Sequence, residues 1–252
     1  QQQPPAALPR AGNGSATFWH VTDWHLNLFH KADGDVRDMC RTATADRAHW
    51  PGPLGHFNCD PSRAVAQLAV RRMAAAQPAP TFLLLGGDNF GHVPPASEDG
   101  EAVRASHVTM AELLATSFPG VPVLPLVGNH DTWPYFSGGR AAREVRAEFA
   151  RLWGGGLGGK AAGELREQGY YVYIPPALTN LWVVAIDTNS LALAEAAATA
   201  TRQLAWFEAT LAAAEAQGME VIVVGHIAPG ASHTDWRSIA AAGWAGGCWR
   251  PA

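Results

Sequence analysis

Charge is scarce in this chain. Of its 252 residues only 16% are Asp, Glu, Lys or Arg, and the formal net charge is −4. A nucleic-acid backbone or an anionic membrane surface therefore finds no general electrostatic attraction here. No run of 18 apolar residues occurs, so no segment reads as a membrane-spanning helix. There is no internal repeat and no saposin-like, cysteine-rich helical module. What remains is 48% hydrophobic residues, enough to bury the core of one large α/β domain.

Cysteine is limited to three residues, Cys40, Cys59 and Cys248. The first two bracket a loop rich in Arg, His, Pro and Gly that has little core of its own. A disulfide would pin such a loop. Two free thiols is the alternative, and one sequence does not decide between them. The chain begins at Gln1 rather than Met, which suggests a removed leader or a fragment. Residues 1–16 are expected to form a flexible arm, 17–236 the folded domain and 237–252 an irregular tail. Asn13-Gly14-Ser15 is a glycosylation acceptor pattern, common enough by chance to weigh little alone.

Hydrophobic patterning predicts a strand over 17–23, then a long loop over 26–59. Asp60-Pro61 suits a helix start, Asp as N-cap and Pro at the first helical position, with the helix running to 77. Residues 81–85 form a continuous apolar run, as in a strand buried on both faces. A helix over 101–118 and a strand over 121–127 follow; Pro122 and Pro125 point to a sheet edge or bulge. Residues 140–153 predict an amphipathic helix, 170–174 and 181–186 a pair of strands, 201–217 a helix stopped by Gly218, and 220–224 another buried strand. The Ala-rich stretch 191–200 fits either helix or linker.

Metal-type side chains sit just after the ends of these strands, where α/β sheets place their sites. They occur in four segments, Asp23-Trp24-His25, Gly87-Asp88-Asn89, Gly128-Asn129-His130-Asp131 and Gly225-His226. Carboxylate with imidazole suits zinc, iron or manganese better than calcium. Asp88 could bridge two cations, and Asn129 offers an amide oxygen. His130, adjacent to Asn129, is better placed to assist the reaction than to bind the same ion. Asp131 could orient that imidazole. Each residue alone has a structural alternative, such as a capped turn or a hydrogen-bonded histidine. The ordered set of four is what carries the metal reading.

In this order the motifs resemble those of calcineurin-like metallophosphoesterases: D-x-H, G-D, G-N-H-D/E and G-H. Within them the chain is similar to the acid sphingomyelinase and sphingomyelinase-like phosphodiesterase branch. The cues are His92 four residues after Asp88, the loop ending Asn58-Cys59-Asp60, Gly225-His226-Ile227-Ala228-Pro229-Gly230, and Gln203-Leu204-Ala205-Trp206-Phe207. The resemblance spans residues 18–236. It implies a β-sandwich of two mixed sheets flanked by helices, and it favours the Cys40–Cys59 pairing, leaving Cys248 over. It also implies two divalent transition-metal ions, zinc in the family, one held by Asp23, His25 and Asp88, the other by Asp88, Asn129 and His226. His92 and His130 match the histidines that assist the leaving group and the developing charge. Two cations about 3.5–4 Å apart would activate a hydroxide for in-line attack on a phosphodiester. Proton donation by histidine favours mildly acidic surroundings, such as a lysosomal, vacuolar or secreted setting.

The family's final G-H-x-H, one histidine for each metal, is not found. After Gly230 the only histidine is His233, in Ser232-His233-Thr234-Asp235. A fragment, a gene-model artefact and a naturally short protein each account for this, and the closing strands of the sandwich are expected to be missing. The substrate expectation is a lipid or nucleotide-type phosphodiester rather than a nucleic-acid polymer. The aromatic run Trp133-Pro134-Tyr135-Phe136 could stack on a base or touch a lipid, or merely pack a loop. An endopolyphosphatase-like enzyme, or a non-catalytic binding protein on the same scaffold, is the alternative.

Overall fold

The computed structural model describes residues 17–52, 54–76, 79–92 and 99–228. Asn13-Gly14-Ser15, Pro229, Gly230, His233 and Cys248 lie outside the described residues, as do the arm over 1–16 and the tail over 237–252.

Continuous apolar runs become strands, and those over Phe82–Leu85, Val123–Pro125 and Leu181–Ala185 are buried along their whole length. β1 (Phe18–Val21), β2 (Phe82–Leu85) and β3 (Val123–Pro125) pair in that order, all parallel, with Phe18 opposite Phe82 and Leu83 opposite Val123. β2 is central and all four of its residues are buried. β3 takes the edge its prolines predict: among the described residues it pairs only with β2. The second sheet is β4 (Tyr171–Tyr173), β5 (Leu181–Ala185) and β6 (Glu220–Val224), antiparallel between β4 and β5 and parallel between β5 and β6. Only this second sheet is mixed; the first is parallel throughout its described strands.

The two sheets meet over one core in which Leu83, Leu85, Leu124, Tyr171, Tyr173, Val183 and Ala185 are buried together. The Tyr171 hydroxyl crosses it, donating to the Pro125 carbonyl at 3.0 Å. A buried phenol needs such a partner. Helix α1 (Arg63–Ala75) packs against α2 (Gly100–Ser117). On α3 (Gly139–Leu157), Val145, Phe149, Trp153 and Leu157 recur every fourth residue and form one buried stripe. Truncating Phe149, which is fully buried, would cost about 3–5 kcal/mol. After α3 come α4 (Gly159–Gln168), which the sequence pattern did not suggest, and α5 (Thr188–Ala192). α6 (Ala197–Ala216) then covers the outer face of β5 with Trp206, Phe207 and Ala214 against Trp182 and Val184. The undecided stretch 191–200 is therefore the end of α5, a single 3-10 turn and the start of α6.

Two expectations need correction. Ser62, not Asp60, caps α1: its Oγ accepts from the Val65 N–H at 3.3 Å, because the Asp60 carboxylate is turned to His92. β6 is not buried on both faces; Glu220 and Val223 are exposed, since among the described residues β6 pairs only with β5. The pairing favoured by the resemblance is found: Cys40 and Cys59 are joined as a disulfide.

Candidate metal centre

β1 and β2 end side by side, and the chain leaves each in a tight turn. Asp23, His25 and Asp88 all adopt left-handed backbone conformations, with φ of 54°, 39° and 55°. Residues with a Cβ avoid this region, at a cost of order 1–3 kcal/mol each. The turns are tied together: the Asp23 N–H donates to the Gly87 carbonyl, the His25 N–H to the Asp88 carbonyl, and the Leu26 N–H to the Asn89 carbonyl. A third loop, after β3, presses against them so closely that a Cβ on Gly128 would meet Asp88 Oδ1 at 2.1 Å and the Asp88 nitrogen at 2.3 Å. Only glycine fits there.

This packing brings all five predicted ligands together. His25 Nε2 lies 3.7 Å from Asp23 Oδ1 and 3.6 Å from Asp88 Oδ2. His226 Nε2 lies 3.3 Å from Asp88 Oδ1 and 2.9 Å from Asn129 Oδ1. Asp88 is thus between the two histidines, one oxygen toward each, with only 3% of its surface exposed. Ligand atoms of Asp23, Asp88 and His226 all lie within 4.8 Å of one another. Both histidines are fixed from behind. His25 Nδ1 meets the Phe90 carbonyl at 3.1 Å, and His226 Nδ1 meets the Gly86 carbonyl at 2.8 Å. Each Nδ1 donates to its carbonyl, which leaves Nε2 for the site. Metal-ligating histidines are held in the same way.

Burial alone would lower the His226 pKa. Its contacts with Asp88, the Gly86 carbonyl and Asp23 outweigh that and raise it to about 9. Acceptor oxygens face both ring nitrogens, Gly86 at Nδ1 and Asp88 and Asn129 at Nε2, and the oxygens gathered at Nε2 suit a divalent cation. The donor set therefore fits two metal ions sharing Asp88, with three described protein groups for each.

His92 and His130 flank this centre. The His92 ring stacks on His25 at 4.1 Å between centroids and meets the edge of His130 at 4.4 Å. Burial lowers the His130 pKa to about 4; nearby His92 and His25 add to the lowering, and Asp88 opposes it. The His130 backbone N–H donates to Asp88 Oδ1 at 2.8 Å.

Asp131 does not serve His130 as expected. Its carboxylate is taken instead by the backbone N–H groups of Asp88, Asn89 and Gly128 at 2.8–2.9 Å and by His107 Nε2 at 3.2 Å. It is a buried tie between the second and third metal-bearing loops. His107, on α2, reaches Glu148 on α3 with its other nitrogen at 3.5 Å, long for a hydrogen bond but close for a charge contact. Burial depresses the His107 pKa; the contacts with Asp131 and Glu148 overcome this and push it up to about 9.

Thr188 and Asn189 escaped the sequence reading, and Gln203 and Tyr135, noted there, have contacts it did not foresee. Thr188 Oγ1 accepts from the N–H groups of His226 and Ile227, and Asn189 Nδ2 donates to the Gly128 carbonyl at 2.9 Å. Both follow β5 directly, so the rule that placed the other site residues after strand ends would have found them. Gln203 holds the same turn by bonding both the N–H and the carbonyl of Asp187. Tyr135 receives a hydrogen bond from Asn129 Nδ2 at 3.0 Å, lies 4.6 Å from the His130 ring, and is 47% exposed.

The sequence model of the family described as calcineurin-like phosphoesterase matches residues 16–243. Similar proteins include sphingomyelinase phosphodiesterase C of Dictyostelium discoideum, 28% identical over 84% of this chain and 49% of its own length. Human acid sphingomyelinase-like phosphodiesterase 3b is 28% identical over 84% of this chain and 48% of its own. Bovine cyclic GMP-AMP phosphodiesterase SMPDL3A is 28% identical over 88% of this chain and 51% of its own. The chain thus spans about half the length of the curated relatives it matches.

Proposed function

Because the chain belongs to the calcineurin-like phosphoesterase family, we propose that it is a metal-dependent phosphodiester hydrolase. The observation that supports this most is the position of Asp88, buried between His25 and His226 with one oxygen toward each. Two divalent ions bound by Asp23, His25, Asp88, Asn129 and His226, zinc being the ion these nitrogen and oxygen donors suit, would activate water and neutralise phosphoryl oxygens.

The remaining roles fall to side chains. His92 has its Nδ1 committed to the Asp60 carboxylate at 3.0 Å. Its Nε2 is then the nitrogen that delivers a proton to the departing alkoxide. His130, whose basicity burial suppresses, suits a neutral hydrogen-bond donor to the phosphoryl group better than a proton carrier. Tyr135 and Trp133 are 47% and 39% exposed. Tyr135, whose ring lies 4.6 Å from that of His130, offers an aromatic face for the part of the substrate beyond phosphorus, either a base or the interfacial end of a lipid, with Trp133 two residues before it in the same loop. Relatives named cyclic GMP-AMP phosphodiesterase and sphingomyelin phosphodiesterase support a small-molecule or lipid phosphodiester as substrate. Among the described residues no helix is long and apolar enough to cross a membrane. A secreted, lysosomal or vacuolar setting is consistent with the Cys40–Cys59 disulfide.

The test is metal content per chain by inductively coupled plasma mass spectrometry, with hydrolysis of bis-(p-nitrophenyl) phosphate on the same sample. Close to two transition metals per chain with turnover is expected. Metal-free protein that stays inactive after zinc or manganese is added would favour a non-catalytic scaffold.

A further inference from the structure

The Cys40–Cys59 disulfide lies next to the catalytic machinery. Each cysteine is followed directly by a residue that grips His92. After Cys40 comes Arg41, whose guanidinium donates to the His92 carbonyl. After Cys59 comes Asp60, which accepts the His92 backbone N–H on Oδ2 and faces ring Nδ1 with Oδ1. Main chain and ring of one histidine are thus held by two residues that a single covalent bond keeps together. The fit is tight: a Cβ on Gly91 would meet Asp60 Oδ2 and the His25 carbonyl, each at 2.9 Å.

We propose that Arg41 and Asp60 are positioning residues for His92, and that the Cys40–Cys59 disulfide sets the ring's orientation and tautomer through them. An ionised carboxylate only accepts, so Nδ1 beside it must carry the proton. Asp60 is 8% exposed and uses both oxygens on the same histidine, so both must remain acceptors. Asparagine has the same shape but one acceptor oxygen. If that oxygen keeps the backbone N–H, its NH2 faces Nδ1 and favours the opposite tautomer. Residues 41–59 have little buried apolar surface; Leu54 and Phe57 are exposed. Beside the covalent link, Asn27 ties the same two segments, donating from its backbone N–H to the Pro61 carbonyl and from Nδ2 to the Met39 carbonyl; the disulfide is the one covalent tie between them.

The proposal takes its catalytic meaning from the reading of His92 as leaving-group acid. Its test is built to stand apart from that reading. Long-range 1H–15N correlation spectra of the histidine rings report tautomers without any turnover. In the native protein the neutral His92 ring is expected as the Nδ1–H form; the form that delivers a proton carries one on Nε2 as well, with Asp60 accepting from Nδ1 in both. Asp60→Asn, and separately reduction of the disulfide, should convert it to the Nε2–H form or to an averaged signal, with His107 unchanged as an internal reference. Arg41→Met, which leaves both Asp60 oxygens in place, should average the His92 signal even if Asp60→Asn fails to fold. An unmoved His92 signal after reduction and in a folded variant overturns the proposal.

Turnover supplies a second readout. Asp60→Asn should lose about tenfold or more on a diester with an alkyl leaving group, which needs a proton. It should lose little on bis-(p-nitrophenyl) phosphate, whose leaving group does not. Equal losses on both would also overturn the positioning role. If the native protein turns over neither substrate, the hydrolase reading fails, and the ring signals still decide this one.

Discussion

The imidazole of His107 and the carboxylate of Asp131 meet at 3.2 Å, each side chain at least 99% removed from water. One comes from a helix, the other from the turn that carries Asn129 and His130. Through Asp131 this pair holds three backbone N–H groups of the metal-bearing loops, and through Glu148 it links them to α3. The site therefore rests on a buried ion pair rather than on apolar packing alone.

Removing one partner should be severe. His107→Leu leaves Asp131 charged and buried, a loss of about 3–5 kcal/mol. The pair also sets a pH dependence. His107 holds its proton up to about 9 in the folded protein, against roughly 6.5 when unfolded. Its raised pKa adds stability that is complete below about 6.5 and disappears as pH rises through about 9. Urea unfolding between pH 6 and 10 should show stability falling in the native protein and a flatter profile in His107→Leu. Parallel profiles would assign the alkaline loss to other groups.

Asp88→Ala should abolish turnover and reduce metal content at both positions, since Asp88 faces both histidines. Solubility should change little. Retained hydrolysis of bis-(p-nitrophenyl) phosphate by this variant would sink the assignment of the site.

Two glycine substitutions separate crowding at the site from helix propensity. Gly128→Ala places a methyl group on the backbone and carboxylate of Asp88, so metal binding should fall with stability. Gly155→Ala lies within α3 with nothing within 4 Å of the added carbon and should stabilise by about 0.5–1 kcal/mol. Thermal melts and metal content of the two variants check both directions.

Tyr135→Phe removes the acceptor that fixes the Asn129 amide. A single hydrogen bond contributes about 0.5–1.5 kcal/mol net, so zinc or manganese affinity should weaken by about two- to tenfold. Calorimetric titration would show this; unchanged affinity would mean that the amide is oriented by His226 alone.

The framework was legible because its strands are short, continuous apolar runs that end in ligand-type residues, as at Leu85 before Gly86, Gly87 and Asp88. Local pattern carries that information. It did not carry the role of Asp60, which before Pro61 has the form of a helix cap while its carboxylate reaches His92 across 32 residues. His107 was equally hidden, one polar residue within an ordinary helical stretch, its partner Asp131 24 residues on. Asp131 was noticed but given the wrong neighbour, since adjacency in sequence suggested His130 and the fold supplied His107. Partnerships across loops are set by tertiary packing, and composition and periodicity do not encode them.

The left-handed backbone at Asp23, His25 and Asp88 has a consequence for how this protein could change over generations. Three of the five candidate ligands are held where side chains are disfavoured, and a glycine at any of them would relieve the strain while deleting a ligand. Stability and metal binding therefore oppose each other at these positions. Lineages released from the need for turnover should drift toward glycine at Asp23, the most exposed of the three, and gain in melting temperature. Asp23→Gly should melt higher than the native protein when both are kept metal-free, and lower when metal is supplied.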